Sequence, residues 1–314
     1  MKTMMKILLF MLMLVLLIHC DKERYLLLET GPVENITDNG ADCSGTIQNY
    51  SGSIIISQGF CWSTQKDPTI SDTSINDSTG STSFACKISG LSPSTVYYVR
   101  AFATNNVDTY YGNNYKLKTY TSSVTDIDGN VYYSVTIGSQ IWMSENLKTT
   151  TYNDGTKIPL VMDKSEWNQN TGPGYCYYKN DYRNKKIYGA LYNYYTITGG
   201  ALCPDGWHVA TDDDWSTLIN YVGGIGVSGE KLRSILHWDI STRSGSDEFN
   251  FCALPGGYRA HSWFRYLGEC GYWWSVIESD DPSVWSLGGY TDKMFRISSP
   301  TKTFGYSVRC VRDN

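Results

Sequence analysis

Short runs of alternating apolar and polar residues, separated by Gly, Asn, Ser and Pro, fill residues 25–119. Three of these runs are GSIIISQGFCWS (52–63), STSFACKISGL (81–91) and STVYYVRAFATN (94–105). In the second run Phe84, Cys86 and Ile88 fall on one face of a strand, because successive side chains of a strand point to opposite faces. Strands spaced at about 8–12 residues predict an antiparallel sandwich for this part of the chain.

The N-terminus carries two lysines, then the apolar run ILLFMLMLVLLI (7–18), and then His19 and Cys20. This run is shorter than the roughly 20 apolar residues that span a bilayer, and it is typical of a signal peptide. A cysteine directly after the run resembles a bacterial lipoprotein signal, although a small residue usually stands where His19 does. The resemblance implies a signal peptide at 1–19, lipidation of Cys20 and a tether at 20–24. The alternative is a plain secretory signal with an incidental cysteine.

Location and charge limit the kinds of partner. The stretch DKER after Cys20 resembles signals that direct some bacterial lipoproteins outward, so we expect a lipid-anchored protein of the outer membrane, exposed at the cell surface. The formal net charge is −5 and no long block of basic residues occurs, so nucleic-acid binding is not expected. The 25 tyrosines, 10 tryptophans and 29 glycines favour a fold rich in strands and turns.

Eight cysteines follow Cys20, and export places them in an oxidising compartment where pairing is expected. They lie at positions 43, 61, 86, 176, 203, 252, 270 and 310. A domain boundary near residue 120 splits them into three and five, so each domain keeps a free thiol unless a bridge crosses the boundary. A bridge between Cys43 and Cys61 would leave Cys86 buried and free, but the residues alone leave the pairing open.

The stretch LSPSTVYYVRAFATN (91–105) matches the pattern L-x-P-x-T-x-Y-x-V-R-A-x-A of fibronectin type III domains. The resemblance covers residues 25–119 and implies a fibronectin type III-like β-sandwich. It also implies that the hydroxyl of Tyr97 bonds to the backbone as a tyrosine corner. GFCWS (59–63) resembles a version of the module common in surface proteins of gut-type bacteria. Such modules usually act as spacers, which is the role we expect here.

A polar, hydroxyl-rich segment follows this domain. KTYTSSVTD (118–126) contains a predicted linker at 120–125. Directly after it, Asp128, Gly129 and Asn130 predict a hairpin turn between two strands. The pattern D-x-D-G also begins calcium loops, but no Glu follows at the twelfth loop position, so a turn is the preferred interpretation.

The stretch CPDGWHVATDDDW (203–215) combines a histidine with three consecutive aspartates, which fits a metal site, catalytic carboxylates or a helix start. Thr211 is predicted as the N-cap, with Asp214 at the third helical position as in a capping box. The other two aspartates then lie in the first turn, where the helix dipole favours negative charge. Gly223 and Gly224 end the helix. The apolar spacing i, i+3, i+4, i+7 supports this interpretation at Trp215, Leu218, Ile219 and Val222.

A second helix is predicted from Ser228, with Leu232, Ile235 and Leu236 on one face. Beyond it, runs such as GYWWS and KMFRISS return to a strand pattern. The second domain is therefore expected to combine two helices with a sheet.

Eight ordered motifs characterise the second domain: DIDGNVY, IWMSENL, YNDGTKIPL, YGALYNYY, CPDGWHVATDDDW, ALPGGYR, GYWWS and GYSVRCVRD. They resemble the Fibrobacter succinogenes major paralogous domain over 126–313, so this domain is expected at 126–314. The family is similar to the C-type lectin-like fold, which implies two helices against an irregular antiparallel sheet with long loops. The resemblance also implies a disulfide between Cys203 and Cys310. The whole chain is expected to be mainly β, with an α+β C-terminal domain.

Lectin-like folds bind ligands through long loops before the final strand, here residues 256–304. This stretch is rich in Trp and Tyr, whose large rigid rings suit stacking on sugars or contact with proteins. Trp263, Phe264 and Tyr266 lie between the motifs, where family members differ most. These three are the predicted ligand-binding residues.

Other residues of this stretch have structural interpretations. At least one of Trp273 and Trp274, in the motif GYWWS, is expected in the core, and Tyr258 and Arg259 are expected to brace a turn. Calcium-dependent lectins use triplets such as E-P-N followed by W-N-D, which this chain lacks. A loop with the carboxylates of Glu278, Asp280 and Asp281 is read as an exposed acidic loop rather than a calcium site.

The sequence favours binding over catalysis. His261 and Cys270 would supply a base and a nucleophile, but no third residue is evident to orient them. Glu278 and Asp281 would be a glycosidase-like pair, yet two acids in a polar loop are common. Likeness of fold to formylglycine-generating enzymes is not evidence of chemistry. No catalytic residue, cofactor or metal site is assigned.

The sequence predicts a lipid-anchored surface protein whose lectin-like domain binds an extracellular glycan or protein, with the fibronectin-like domain as spacer. The alternative is a structural or assembly subunit of a surface complex or appendage. Binding predicts an exposed aromatic patch at Trp263, Phe264 and Tyr266. Assembly predicts an open sheet edge or apolar face, and catalysis predicts a deep polar pocket at His261 or at the acids of 278–281.

Overall fold

The computed structural model describes residues 26–48, 54–199, 201–239, 241–242, 245–276, 282–298 and 300–313. The predicted signal peptide, the lipidation site Cys20 and the tether lie outside these residues. The described chain forms two compact units. The first unit contains the residues up to Ile36, Gly40–Gly90 and Val96–Leu117, and the second contains Thr37–Asn39, Leu91–Thr95 and the residues from Lys118 onward.

The first unit consists of two antiparallel sheets. Its strands are β1 (Leu27–Glu34), β2 (Gly40–Gln48), β3 (Ser57–Ser63), β4 (Thr73–Asp77), β5 (Ser83–Ser89), β6 (Val96–Thr104), β7 (Thr109–Tyr111) and β8 (Tyr115–Lys118). One sheet has the order β1-β2-β5; the other has the order β4-β3-β6-β7, with β8 also paired to β6. Phe60 and Phe84, from different sheets, have ring centroids 5.3 Å apart. The two sheets therefore pack face to face.

Strand β5 follows the predicted alternation, with Phe84 and Ile88 buried, Cys86 half-buried and the intervening residues exposed. Cys86 lies directly opposite Cys43 of β2. Cys43 and Cys61 are buried free thiols in different sheets, so the bridge considered between them is not formed. Burial raises the pKa of Cys43 to about 12 and that of Cys61 to about 11, which keeps both protonated and unreactive.

The second unit is built from several small antiparallel sheets and short helices. A five-stranded sheet has the order β14-β20-β11-β10-β9, and a three-stranded sheet has the order β17-β18-β19. The strands are β9 (Ser122–Thr125), β10 (Val131–Ile137), β11 (Gln140–Met143), β12 (Tyr175–Cys176), β13 (Leu191–Tyr192), β14 (Trp207–Val209), β15 (Gly256–Ala260), β16 (Trp263–Leu267), β17 (Cys270–Ser275), β18 (Ser283–Gly288), β19 (Met294–Ser298) and β20 (Cys310–Arg312). Strands β12 and β13 form one hairpin-like pair, and β15 and β16 form another.

The helices of this unit are short. They are α1 (Lys164–Gln169), α2 (Asn184–Tyr188), α3 (Tyr194–Thr198), α4 (Asp212–Tyr221) and α5 (Ile225–Leu232), with a 3₁₀ turn at Tyr178–Asn180. The sequence predicts only the two longer helices, α4 and α5. Helices α1, α2 and α3 have five or six residues each, too few to show the apolar spacing of a helix. No helix in the described residues is both long enough and apolar enough to cross a membrane.

The predicted linker at 120–125 is wrong, because most of it forms strand β9. Ser122 pairs with Ser134 of β10, and their hydroxyls hydrogen-bond at 2.8 Å. Gly129, at φ 80°, lies in the predicted turn between the two strands. A run of small hydroxyl residues suits an edge strand as well as a linker, since its side chains bond across the pair.

Helix α4 begins as predicted. Thr211 is the N-cap, and its hydroxyl accepts a hydrogen bond from the backbone amide of Asp214. The carboxylate of Asp214 accepts a hydrogen bond from the backbone amide of Thr211, which completes the capping box. The helix ends where Gly223 and Gly224 adopt positive φ, with the amide of Gly224 donating to the carbonyl of Ile219 at 2.8 Å.

Helix α5 differs from the prediction at both ends. It begins at Ile225 rather than Ser228 and ends at Leu232, and Ile235 and Leu236 are 65% and 61% exposed. The chain leaves the helix at Arg233, which forms a parallel bridge with Ala253. This tertiary pairing overrides the apolar spacing that had suggested a longer helix.

The core of the second unit is aromatic. Trp142, Trp215, Trp273 and Trp274 are all fully buried, which confirms a core position for both tryptophans of GYWWS. The ring centroid of Trp215 lies 4.9 Å from that of Trp142 and 5.8 Å from that of Trp273. Cys203 and Cys310 form the predicted disulfide and join the segment before α4 to the last strand, 107 residues away.

Candidate functional site

The three aspartates of the motif CPDGWHVATDDDW have structural roles. Asp212 reaches the three-stranded sheet, where it accepts hydrogen bonds from Ser275, Ser283, Trp285 and Arg296. Asp213 is exposed. Asp214 completes the capping box and contacts His208. The interpretation as a helix start is supported, and the structure adds a hydrogen-bond network that spacing did not predict.

His208 links this helix to the C-terminus. Its Nε2 lies 3.0 Å from Asp214 and its Nδ1 lies 2.6 Å from Asp313. The hydrogen bond with Asp214 raises the pKa of His208 to about 9. Burial alone would raise the pKa of Asp214, but the bonds from His208 and Thr211 lower it to about 2. The pair is therefore ionic at neutral pH and holds two chain segments together.

Asp128, the second aspartate of DIDGN, also has hydrogen-bond partners within the protein. Asp128 accepts hydrogen bonds from Thr149, Thr150 and Thr151. Burial opposes ionisation, but these bonds lower the pKa of Asp128 to about 2. No group of three potential metal ligands occurs in the described residues. The acidic loop with Glu278, Asp280 and Asp281 lies outside them.

The three predicted ligand-binding residues lie on strand β16. Trp263 is 61% exposed and Tyr266 is 41% exposed. Tyr266 has a positive φ of 62°, which interrupts the regular alternation of the strand. Phe264 does not join the exposed residues, because it follows Trp263 directly and its side chain turns to the opposite face. Its ring centroid lies 5.2 Å from Tyr178 and 5.2 Å from the guanidinium of Arg259. Phe264 therefore packs against the domain instead of extending the exposed patch.

Arg259 fixes the β15–β16 hairpin to the body of the domain. It is buried and donates to the carbonyl oxygens of Val161 at 2.6 Å, Met162 at 3.1 Å and Asp163 at 3.1 Å. Its guanidinium also stacks 4.3 Å from the ring of Trp167. The bracing role expected for Arg259 thus extends to a loop almost 100 residues earlier.

Tyr258 lies at the centre of a group of aromatic rings. Its centroid is 5.9 Å from Tyr266, 5.0 Å from Tyr272, 5.8 Å from Phe304 and 5.5 Å from Tyr306. Tyr306 is buried, whereas Tyr258, Tyr272 and Phe304 are half-buried. We call Tyr258, Tyr266, Tyr272 and Phe304 the aromatic surface.

Sequence reasoning selected Tyr266 but missed Tyr272 and Phe304. The available signal was a period of two: Tyr272 and Trp274 are two residues apart, as are Phe304 and Tyr306. Tyr272 and Trp274 both contact the ring of Tyr306, at 5.7 and 4.8 Å between centroids. One face of β17 therefore passes from the core to the surface within two residues.

His261 and Cys270 have separate partners. Nδ1 of the exposed His261 bonds to Asn168, and its ring lies 5.1 Å from Phe304. Cys270 is half-buried, and burial raises its pKa, which favours the thiol over the nucleophilic thiolate. Among the described residues, no hydrogen bond joins the two side chains.

Strand β19 is the outer strand of its sheet. Its Phe295 is 47% exposed and its Ile297 is 38% exposed. This is the kind of open edge that an assembly role predicts.

Comparison with known proteins places most of the second unit in a family. The model of the Fibrobacter succinogenes major domain matches residues 135–312. No curated protein shows significant similarity. Three solved structures of the sensor domain of the anti-sigma factor RsgI4 in Pseudobacteroides cellulosolvens, one of them a solution structure, resemble part of the chain. Its short form is 20% identical, covering 30% of this chain and 93% of that one, with a TM-score of 0.24. A long form is 18% identical, covering 33% and 99%, with a TM-score of 0.23.

TM-scores this low carry no argument about this chain. The family match does identify a family, because it spans more than half of the 314 residues and includes the aromatic surface and the disulfide. The chain belongs to the Fibrobacter succinogenes major domain family.

Proposed function

We propose that this protein is a lipid-anchored cell-surface protein whose second unit binds an extracellular glycan or protein through the aromatic surface and Trp263. The observation that carries the proposal is the exposure of Trp263 and Tyr266 on the β15–β16 hairpin. Arg259 and Phe264 attach this hairpin to the body of the domain. Apolar ring faces with polar hydroxyl groups suit stacking on sugar rings and contact with protein side chains.

Fixed rings favour recognition because less conformational freedom is lost on binding. Tyr266 contacts Tyr258, which is itself surrounded by three other rings. Arg259 ties the same hairpin to the loop at 161–163 through three hydrogen bonds. A ligand would therefore meet a surface that is already formed.

The remaining parts of the proposal rest on resemblance. The strand orders β1-β2-β5 and β4-β3-β6-β7 support a fibronectin type III-like spacer, and the position of Tyr97 at the start of β6 is compatible with a tyrosine corner. The Cys203–Cys310 disulfide, from the segment before α4 to the last strand, supports the C-type lectin-like fold. Attachment to the outer membrane through Cys20 rests on the N-terminal sequence.

A structural or assembly role is the second candidate, and strand β19 favours it. Its free edge with exposed Phe295 and Ile297 would accept a strand from another chain. This role needs no small ligand.

The test is a screen of the full-length chain, kept in a non-ionic detergent, on arrays of glycans and extracellular proteins. A ligand should be captured, and Trp263→Ala with Tyr266→Ala should weaken its binding at least about tenfold, as expected for aromatic anchors of an interface. The matched control is Tyr290→Ala, which removes another ring that is 60% exposed. An added chelator reports on any contribution of the acidic loop.

Two outcomes would contradict ligand binding by the aromatic surface. One is the absence of any captured ligand with a folded sample, which would favour assembly. The other is an equal loss of binding in the Tyr290 control.

A further inference from the structure

A cleft of about 520 Å³ lies on the second unit, between the start of β10 and the segment that leads into α2. Its lining residues include Val131, Lys148, Tyr182, Arg183, Lys185 and Lys186. This volume falls within the range of about 300–1,000 Å³ that is usual for small-molecule sites. We call this feature the basic cleft. None of its residues belongs to the aromatic surface.

The charge of the basic cleft opposes that of the chain. Four of its lining residues are cations, although the net charge of the protein is −5. Lys148 and Arg183 each have a carboxylate partner at 2.7 Å. Lys185 and Lys186 have no acidic partner within the described part of the chain. Two positive charges are therefore available to an anionic ligand.

An aromatic ring lies among these cations. Tyr182 is 68% exposed. The ring of Tyr177 meets it nearly perpendicularly, with centroids 5.4 Å apart. Nζ of Lys185 lies 5.7 Å from the Tyr182 centroid. An open ring beside ammonium groups can stack on an apolar sugar face while the ammonium groups bind an acidic substituent.

The segment that carries these groups is held by its own hydrogen bonds. The amide of Asn184 donates to the carbonyl of Asp181 at 3.0 Å, and that of Lys185 donates to the carbonyl of Tyr182 at 3.0 Å. The side-chain amide of Asn184 donates to the carbonyl of Tyr178 at 2.9 Å. The backbone that presents Tyr182, Lys185 and Lys186 is thus pre-organised, which lowers the entropy cost of binding.

We propose that the basic cleft is a second binding site, for a sugar unit that carries a carboxylate or a sulfate, with Tyr182 stacking on the ring and Lys185 and Lys186 pairing with the anionic group. Asn130 also lines the cleft, and its side-chain nitrogen is held by a hydrogen bond to Asp126 at 2.7 Å. The site is independent of the aromatic surface and stands whether or not that surface binds a ligand.

An anionic membrane is the less suitable partner for this surface. Attachment to anionic lipid usually relies on clusters of about 4–8 basic residues on an open surface. Two of the four cations of the basic cleft are already paired, which leaves fewer than such a cluster provides.

The test measures binding of oligogalacturonate, sulfated dextran and neutral dextran to the full-length chain in non-ionic detergent by calorimetry. At least one acidic polymer should bind and neutral dextran should not, and which acid binds separates carboxylate from sulfate. The double variant Lys185→Glu and Lys186→Glu should weaken this binding about tenfold or more. The matched control, Lys66→Glu with Lys87→Glu, makes the same change in net charge on the first unit and should change binding less than about twofold.

Further arms separate this proposal from its rivals. Tyr182→Leu should weaken oligosaccharide binding, whereas Tyr290→Ala, which removes an exposed ring outside both surfaces, should leave it unchanged. Equal losses in the cleft and control pairs would overturn the proposal, because only net charge would then matter. If Tyr182→Leu binds the oligosaccharide as tightly as the wild type does, stacking by Tyr182 is contradicted. Binding only to vesicles of phosphatidylcholine and phosphatidylglycerol in equal amounts, without any saccharide, would overturn it in favour of a membrane.

Discussion

The two units of this chain hold their backbones in different ways. In the first unit, strands of up to nine residues pair in antiparallel registers that are continuous apart from one irregularity between β1 and β2. In the second, strands are shorter and long connections run between them. The one arginine described in the first unit, Arg100, is half-buried, whereas Arg233, Arg259 and Arg309 of the second are fully buried.

In the second unit, the buried arginines donate hydrogen bonds to carbonyl groups at strand ends and in irregular connections. Arg309 donates to the carbonyls of Met143 and Phe251 at 2.8 and 2.6 Å and to the side chain of Asn146 at 3.0 Å. Carbonyl groups inside a protein need donors, and a guanidinium offers five in a planar fork. One side chain can therefore satisfy several irregular segments at once.

The cost of this arrangement is sensitivity to single changes. A ladder shares its energy among many backbone bonds, and substitutions other than those by proline leave these bonds in place. Connections tied by one guanidinium or one disulfide lose their tie with one residue. The second unit should therefore respond more strongly than the first to matched substitutions.

The largest difference is expected from the disulfide. Replacing Cys203 and Cys310 by alanine should lower the free energy of unfolding of the second unit by roughly 4–5 kcal/mol, because the bridge closes a loop of over 100 residues. Denaturant unfolding followed by tryptophan fluorescence measures this, since nine of the ten tryptophans lie after residue 126.

The matched change in the first unit replaces Cys43 and Cys86, which face each other across two strands as free thiols. It should leave the fluorescence transition of the second unit in place. A shift as large as that of the disulfide variant would mean that the units do not unfold separately, and the comparison would fail.

The buried arginines give the next largest effect. Arg259→Leu should lower the stability of the second unit by about 3 kcal/mol, because three carbonyl oxygens at 161–163 lose their donor. Arg100→Leu in the first unit removes one hydrogen bond, to the carbonyl of Gly112, together with a 4.0 Å ion pair to the exposed Asp67 and a contact with the ring of Tyr111. It should cost about 1 kcal/mol. Similar losses in chemical denaturation would contradict the contrast.

This contrast also explains which features the sequence predicts. Local patterns succeeded where local physics decides: the alternation at Phe84 and Ile88, and the capping box at Thr211 and Asp214, depend on neighbours in the chain. The second helix was misplaced because its C-terminal end depends on a bridge to Ala253, twenty residues later.

The aromatic residues were predicted in part for the same reason. Trp263 and Tyr266 stand out as aromatics between motifs. Tyr272 and Phe304 joined the aromatic surface only because strands distant in sequence meet there. The role of Arg259 as a donor to the loop at 161–163 requires knowledge of a contact across almost 100 residues, which no local pattern contains.

The capping box should have a smaller effect. Thr211→Ala should destabilise the second unit by about 1 kcal/mol, because the amide of Asp214 loses its acceptor. Asp213→Ala alters the same helical turn at an exposed position and should cost only a few tenths of a kcal/mol. Thr211→Ser keeps the hydroxyl and should restore most of the stability. Equal losses for Thr211→Ala and Asp213→Ala in denaturant unfolding would assign the effect to charge or propensity rather than to the cap.

The smallest expected effect is a change in the stability of the second unit with pH. The pKa of His208 is raised from 6.5 to about 9, so its contribution is complete below pH 6.5 and is lost as the pH rises through 9. Since the side chain is 39% exposed, solvent screening reduces this contribution to about 1 kcal/mol or less. Denaturant unfolding of the wild type and His208→Gln should therefore converge between pH 6.5 and 9. The described first unit contains no histidine, so its transition, followed by circular dichroism, should not change in this window for this reason. A constant difference between wild type and variant across the window would show that His208 acts by packing rather than by its charge.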